Sequence, residues 1–161
     1  MIEIRADDKK FSDNGIMIYD FNDEFLVVCP RCASMARVIP VEIKSEKLNN
    51  RLFAPRKLIC LSCVHRDIFD GRSIGIGASV DWYFRLPLWL QISCCGETLW
   101  AYNQKHLEML ENYVAAKLRE RTVKGRNSFL SKLPKWLKSA KNRDEILKAI
   151  AKLRGKLNGK S

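Results

Sequence analysis

Six cysteines in a chain of 161 residues fall into three pairs, and two of the pairs are spaced as metal ligands. Cys29 and Cys32 sit in "VVCPRCAS", Cys60 and Cys63 in "ICLSC", with 27 residues between the two pairs. Two residues between cysteines let both sulfurs turn toward one cation, so the two pairs together supply four thiolates. Zn²⁺ accepts four thiolates in a closed tetrahedron, and such a site is structural because no coordination position stays open to water. Metal binding then contributes directly to folding free energy. The usual spacer is about 15–20 residues; the extra length, "KSEKLNNRLFAP", reads as a loop between two strands. An iron centre of the rubredoxin type would use the same ligands, and frequency favours one structural zinc. A thioredoxin-like redox pair belongs at a helix N-terminus in a βαβ unit, and neither pair has that setting.

The third pair is vicinal, Cys94 and Cys95 in "SCCGE". Successive side chains on a strand point to opposite faces, so one thiol is expected inward and the other toward the turn. A strained disulfide, a second metal site shared with His65 or His106, and a redox-sensing thiol are the alternatives. "GRSIGIGAS" offers G-x-G without the third glycine or a following helix, so it reads as a turn or bulge and not as a phosphate loop. Trp82, Tyr83, Phe84, Trp89, Trp100 and Tyr102 form an aromatic concentration. Core packing is their expected role, with base stacking on an exposed sheet as the alternative. With two histidines and no triad, HExxH or paired-carboxylate motif, no enzymatic activity is expected.

Charge is distributed unevenly. The net charge of +11 resides in residues 121–161, where thirteen Lys and Arg face only Asp144 and Glu145, while residues 1–120 are balanced. Lys138, Lys141, Arg143, Lys148, Lys152, Arg154 and Lys156 are expected to remain solvated beside an apolar stripe. Their mutual repulsion would be relieved by an acidic ligand. Nucleic acid is the favoured one; Arg31 in the first knuckle is an additional candidate for binding phosphate. An anionic membrane surface ranks lower, although Trp136 on a basic amphipathic helix also suits interfacial binding. No run approaches the roughly 18 apolar residues that span a bilayer, and "MIEIRADDKKF" lacks a signal-peptide layout. The chain therefore reads as soluble, cytoplasmic and reducing-compartment.

The elements that must hold these residues change character near residue 102. "IMIYDF" and "EFLVVC" read as strands joined by a turn at Asn22-Asp23, and "ARVIPVEI" and "RKLIC" as two more strands. "VDWYFRLPLWLQIS" reads as buried strand, with Pro87 at an edge or break, and "CCGE" as a turn into "TLWAYN". From Asn103, a good N-cap, Leu107, Leu110, Val114 and Leu118 recur at helical spacing, with an end near "KGRN". "SFLSKLPKWLKSA" holds a short helical turn starting near Pro134. A last helix begins after Asn142 with Ile146, Ile150, Leu153 and Leu157 on one face. The expected class is α+β: a β-rich body over 1–102, then two or three helices in a basic region over 103–161.

"CPRC…CLSC" on a hairpin scaffold resembles a zinc ribbon over about residues 25–68, as found in transcription factors, primosomal proteins and small bacterial proteins. Ribbon knuckles often carry glycine just after the second cysteine; here Ala33 and Val64 occupy those places. The resemblance implies a ribbon around structural zinc, and with the basic region the favoured reading is a small zinc-ribbon protein that binds nucleic acid. A protein–protein adaptor using the ribbon and the basic helices is the alternative, and a Cys94/Cys95 thiol sensor the third.

Overall fold

The computed structural model describes residues 10–13, 17–41, 52–70, 73–116, 118–121 and 129–159. Among them the chain forms β1 (Lys10–Asp13), β2 (Phe25–Val28), β3 (Met35–Pro40), β4 (Arg56–Cys60), β5 (Arg66–Phe69), β6 (Leu90–Cys94) and β7 (Glu97–Ala101). Then come α1 (Gln104–Ala115), β8 (Leu118–Arg121), α2 (Lys135–Lys138) and α3 (Arg143–Leu157). The α+β class, a β-rich first part followed by C-terminal helices, agrees with the sequence patterns, although β8 falls between α1 and α2. The chain divides into two units, one comprising Asn22–Gln91 and Trp100–Asn103, the other Met1–Phe21, Ile92–Leu99 and Gln104–Ser161.

The first unit is built on a four-stranded antiparallel sheet in the order β2-β3-β4-β5. In β4 the period of two is explicit: Arg56, Leu58 and Cys60 are buried while Lys57 and Ile59 are half-buried. β2 is buried along most of its length because its outer edge is also covered. Leu26 N–H donates to Tyr102 O, and Trp89 N–H donates to Leu26 O. Aromatic side chains fill the space above the sheet. Phe25 meets Trp82, Tyr83 and Tyr102 at centroid distances of 5.1, 5.9 and 5.2 Å. Trp82, Tyr83 and Tyr102 are therefore core residues, as expected, and their rings are not available for base stacking. Arg56, also buried, lies over the Tyr83 ring at 4.5 Å and donates to Asn22 O.

"VDWYFRLP" departs from the strand expectation. It is a loop gathered around the buried carboxylate of Asp81, which accepts the amides of Tyr83, Phe84 and Leu86 at 2.8, 2.8 and 2.7 Å. Only isolated bridges, Val80 with Pro87 and Val27 with Leu88, remain of the expected ladder. The glycine-rich segment packs on this loop, since Arg85 Nη1 donates to Gly75 O and a Cβ on Gly75 would lie 2.7 Å from that nitrogen. No helix follows it, so it is a packing element and not a phosphate loop.

In the second unit β1 and β8 pair in parallel, Lys10 opposite Leu118. This corrects the expected extent of the first helix. Leu107, Leu110 and Val114 form its buried stripe, but Leu118 belongs to β8, where ladder hydrogen bonds replace the helical ones. The expected end near "KGRN" lies outside the described residues, as do residues 42–51 of the spacer between the cysteine pairs. Residues Ile18–Phe21 form a 3₁₀ turn and not the expected strand: Asp20 accepts the Met17 amide at 2.8 Å and folds the chain locally. α2 follows Pro134, and α3 starts just after Asn142, both as expected. α3 packs against α1. It buries Ile146, Ile150 and Leu153, each worth roughly 1.5–3 kcal/mol. Leu157 is only half-buried.

Candidate metal centre

The two knuckles have one design. In each, the first cysteine stands at the end of a strand, just past Val28 of β2 for Cys29 and as the last residue of β4 for Cys60, and that cysteine's amide donates to the carbonyl five residues on. The Cys29 amide meets Ser34 O at 2.8 Å and the Cys60 amide meets His65 O at 3.0 Å. In each, the residue after the second cysteine takes a left-handed conformation, Ala33 with φ 62° and Val64 with φ 54°. The positions where ribbons often carry glycine thus keep the conformation that glycine favours, although the residues are not glycine. Ala36 stands opposite Cys60 across β3 and β4, so both knuckles leave the sheet from the same end.

All four sulfurs converge there, within 4.8 Å of one another. Cys29 Sγ lies 3.7 Å from Cys63 Sγ, and Cys32 Sγ lies 3.5 Å from Cys60 Sγ. A tetrahedron with Zn–S bonds of about 2.3 Å has S···S edges of roughly 3.8 Å. The short S···S approaches join one knuckle to the other, as a shared central ion requires. The cluster can hold a metal ion through Cys29, Cys32, Cys60 and Cys63, and the donor set fits a closed thiolate site. Neither histidine belongs to a metal-capable group among the described residues.

Electrostatics support anionic sulfur at the first knuckle. The hydroxyl and amide of Ser34 lower the Cys32 thiol to about 6. At Cys29 burial opposes ionisation, but the amides of Cys32 and Arg31 outweigh it and the net shift is downward; Arg31 N lies 3.4 Å from its Sγ. Cys63 is the opposite case. The His65 amide favours its thiolate, yet burial and the neighbouring sulfurs raise it to about 12. Four sulfurs this close cannot all ionise without a cation among them.

In the vicinal pair Cys94 is buried and Cys95 lies in the turn, as expected, but the sulfurs are not sent to opposite faces. Cys95 and Gly96 form the two-residue turn between β6 and β7, both with positive φ, 54° and 74°. That is the type I′ pattern, and it turns Cys95 back so that its Sγ lies 3.6 Å from Cys94 Sγ. Glu145, in the first turn of α3, accepts the Cys95 amide at 3.3 Å. Burial raises the Cys94 thiol; burial, Cys94 and Glu145 together raise Cys95 to about 12. Reactive thiols sit in electropositive settings that lower the pKa, and this one is electronegative. His106 does not join these sulfurs. It is buried, stacked on Phe21 at 4.8 Å and edge-on to Phe129 at 5.0 Å.

The cations named from the sequence have unequal surroundings. Arg31, Lys141, Lys148 and Lys152 are exposed, whereas Lys138, Arg143, Arg154 and Lys156 are half-buried. Arg143 donates to Val114 O at 3.1 Å, and Arg154 pairs with Glu111 at 3.1 Å. Burial lowers Lys156. Sequence reasoning missed Glu145 as a companion of the cysteines, since nothing links residues 50 apart without knowledge of the fold. No helix among the described residues is long and apolar enough to cross a membrane. Compared with known families, curated proteins and solved structures, the chain finds no match.

Proposed function

We propose that this is a zinc-ribbon protein, with one structural Zn²⁺ on Cys29, Cys32, Cys60 and Cys63, that binds nucleic acid through its basic C-terminal region. The observation that carries the second half is the placement of the whole net charge, +11, in residues 121–161. Lys132, Lys135, Lys141, Lys148 and Lys152 are exposed there. Lys148 and Lys152 are one turn apart on α3 and share a face. Two of the cations first considered, Arg143 and Arg154, have protein partners and serve the fold in this reading. Phosphate binding of this kind positions a protein without reading bases, so no sequence specificity is proposed. A four-thiolate zinc leaves no open position for catalysis, and the protein is proposed to be a binding module and not an enzyme.

The test is a titration of zinc-loaded protein into labelled single- and double-stranded DNA and RNA at several salt concentrations. α3 packs on α1, so substitution is preferable to truncation. K141Q/K148Q/K152Q should weaken binding to every sequence alike and lower the log–log salt slope on duplex DNA by roughly 0.9 for each phosphate no longer neutralised. Absence of binding at low salt by the folded, zinc-loaded protein overturns the reading.

One observation favours the adaptor as second reading. Leu61, Val64 and Ile68, all in the β4–β5 hairpin, are 77%, 73% and 73% exposed. Apolar side chains left so exposed near one knuckle suit a protein partner. Under that reading L61D/I68D abolishes partner binding and leaves nucleic-acid affinity unchanged.

A further inference from the structure

The turn that brings Cys95 onto Cys94 is chemically unexpected. Type I′ turns take Asn, Asp or Gly at the first central position because φ must be positive there. Cysteine at φ 54° has none of the local side-chain hydrogen bonding that makes Asn tolerable. An ordinary strand end would send the two thiols to opposite faces. The strained turn puts both on one side, 3.6 Å apart. Glu145 from α3 closes the group, and one ligand atom from each of the three residues lies within 4.8 Å of the others.

We propose that Cys94, Cys95 and Glu145 form a second, open metal site, selective for a thiophilic divalent cation such as Zn²⁺. Two thiolates and one carboxylate are a three-ligand set of the kind that leaves a fourth tetrahedral position to water. The S···S distance already approximates the roughly 3.8 Å edge of a thiolate tetrahedron, so binding needs little movement. Sulfur excludes Mg²⁺ and Ca²⁺, which demand oxygen donors. Burial is graded across the site: Cys94 is buried, Cys95 half-buried and Glu145 exposed. The carboxylate side therefore admits the cation, while Cys94 anchors it. The amide of Cys95 donates to Glu145 Oε1, which holds the carboxylate beside the sulfurs.

The site differs in kind from the ribbon centre. It has two sulfurs instead of four, a solvent-open position, and ligands from a hairpin tip and a helix within one unit. Its metal is exchangeable, and occupancy ties the β6–β7 turn to the first turn of α3.

Co²⁺ titration under a non-thiol reductant tests this, because thiolate-to-cobalt charge transfer counts the sulfurs. The intact chain should take up two equivalents. The first develops the intense four-thiolate absorption, and the second adds about half that intensity and is the first removed by a competing chelator. Cys95→Ser should abolish the second equivalent and keep the first. Glu145→Gln, an exposed substitution that spares both sulfurs, should weaken the second by at least ~10-fold. Retention of the first equivalent's spectrum shows that each variant is folded. One equivalent in the intact reduced chain, or a second that survives Cys95→Ser, overturns the proposal. Loss of the first equivalent alone instead counts against the ribbon centre.

Discussion

Cys29 and Cys63 are 34 residues apart in sequence, and their Sγ atoms are 3.7 Å apart in space. Between them the chain makes β3, the long connection to β4, and β4 itself, so a metal there closes the sheet into one loop. Structural zinc supplies roughly 10–16 kcal/mol of apparent binding energy in small zinc domains at neutral pH. That exceeds the total stability of many domains, about 5–15 kcal/mol. Chelation is therefore expected to unfold the unit that contains the sheet. Buried Trp82 reports it through a red shift of emission. Cys60→Ser, at a fully buried ligand, should reproduce the effect in metal-replete buffer. A metal-free protein with an unchanged denaturation midpoint argues that the cluster is a set of plain buried thiols.

Val64 carries a more local signature of the same site. A β-branched residue at φ 54° is a conformational outlier, and its side chain, 73% exposed, gains little from packing. Strain of this kind costs of order 1–3 kcal/mol, against the loss of about 0.5–1 kcal/mol that glycine incurs through unfolded-chain entropy. Val64→Gly should stabilise the zinc-loaded protein by about 1 kcal/mol in chemical denaturation, the difference between those two effects, with metal stoichiometry unchanged. Gly96→Ala, placing a Cβ at φ +74°, should act in the opposite direction by a similar amount. Equal midpoints for Val64→Gly and the parent chain would show that the knuckle conformation is unstrained.

Those two cases also mark what a single sequence discloses. Ligand spacing is a local property, so the four-cysteine cluster is visible in the order of residues alone; so is α3, whose buried Ile146, Ile150 and Leu153 follow the helical period. β5 escaped because Arg66–Phe69 buries almost nothing and has no pattern to read. "IYDF" looks extended until the Asp20 carboxylate folds back on the Met17 amide. Glu145 comes to Cys95 only through the packing of separate elements. Leu118 continues the helical spacing of α1, yet a strand partner far earlier in the chain, Lys10, claims its backbone.

Asp81 shows how one side chain converts a strand-like run into a loop. Its Oδ1 accepts the Tyr83 and Phe84 amides, its Oδ2 the Leu86 amide, and the residue is fully buried. Asp81→Ala leaves three donors in a dry site, each worth about 1–3 kcal/mol when unsatisfied, so a loss of several kcal/mol is expected. Asp81→Asn retains one oxygen but turns N–H groups toward another donor, and a smaller loss of about 2 kcal/mol is expected from the same rule. Thermal or urea unfolding should rank the three proteins wild type, then Asn, then Ala. Indistinguishable asparagine and wild-type proteins would mean that Oδ2 contributes nothing.

His106 supplies the pH prediction. Burial between Phe21 and Phe129 lowers its imidazole to about 3, against an ordinary value of 6.5. The folded state then binds fewer protons than the unfolded state throughout the interval from 6.5 down to about 3. Stability contributed by neutral His106 is fully present above 6.5. It is lost as pH falls, by up to about 1.4 kcal/mol per unit, until the folded imidazole itself protonates near 3. Protons also compete for the cysteine ligands, so the acid limb of the wild-type curve has two contributions. His106→Phe keeps an aromatic ring in the stack and removes the titration. Between about pH 6.5 and 5, the stability of wild type should therefore fall more steeply with acid than that of His106→Phe, while metal release follows the same pH curve in both. Parallel stability curves would show that His106 is protonated in the folded protein as readily as in the unfolded chain.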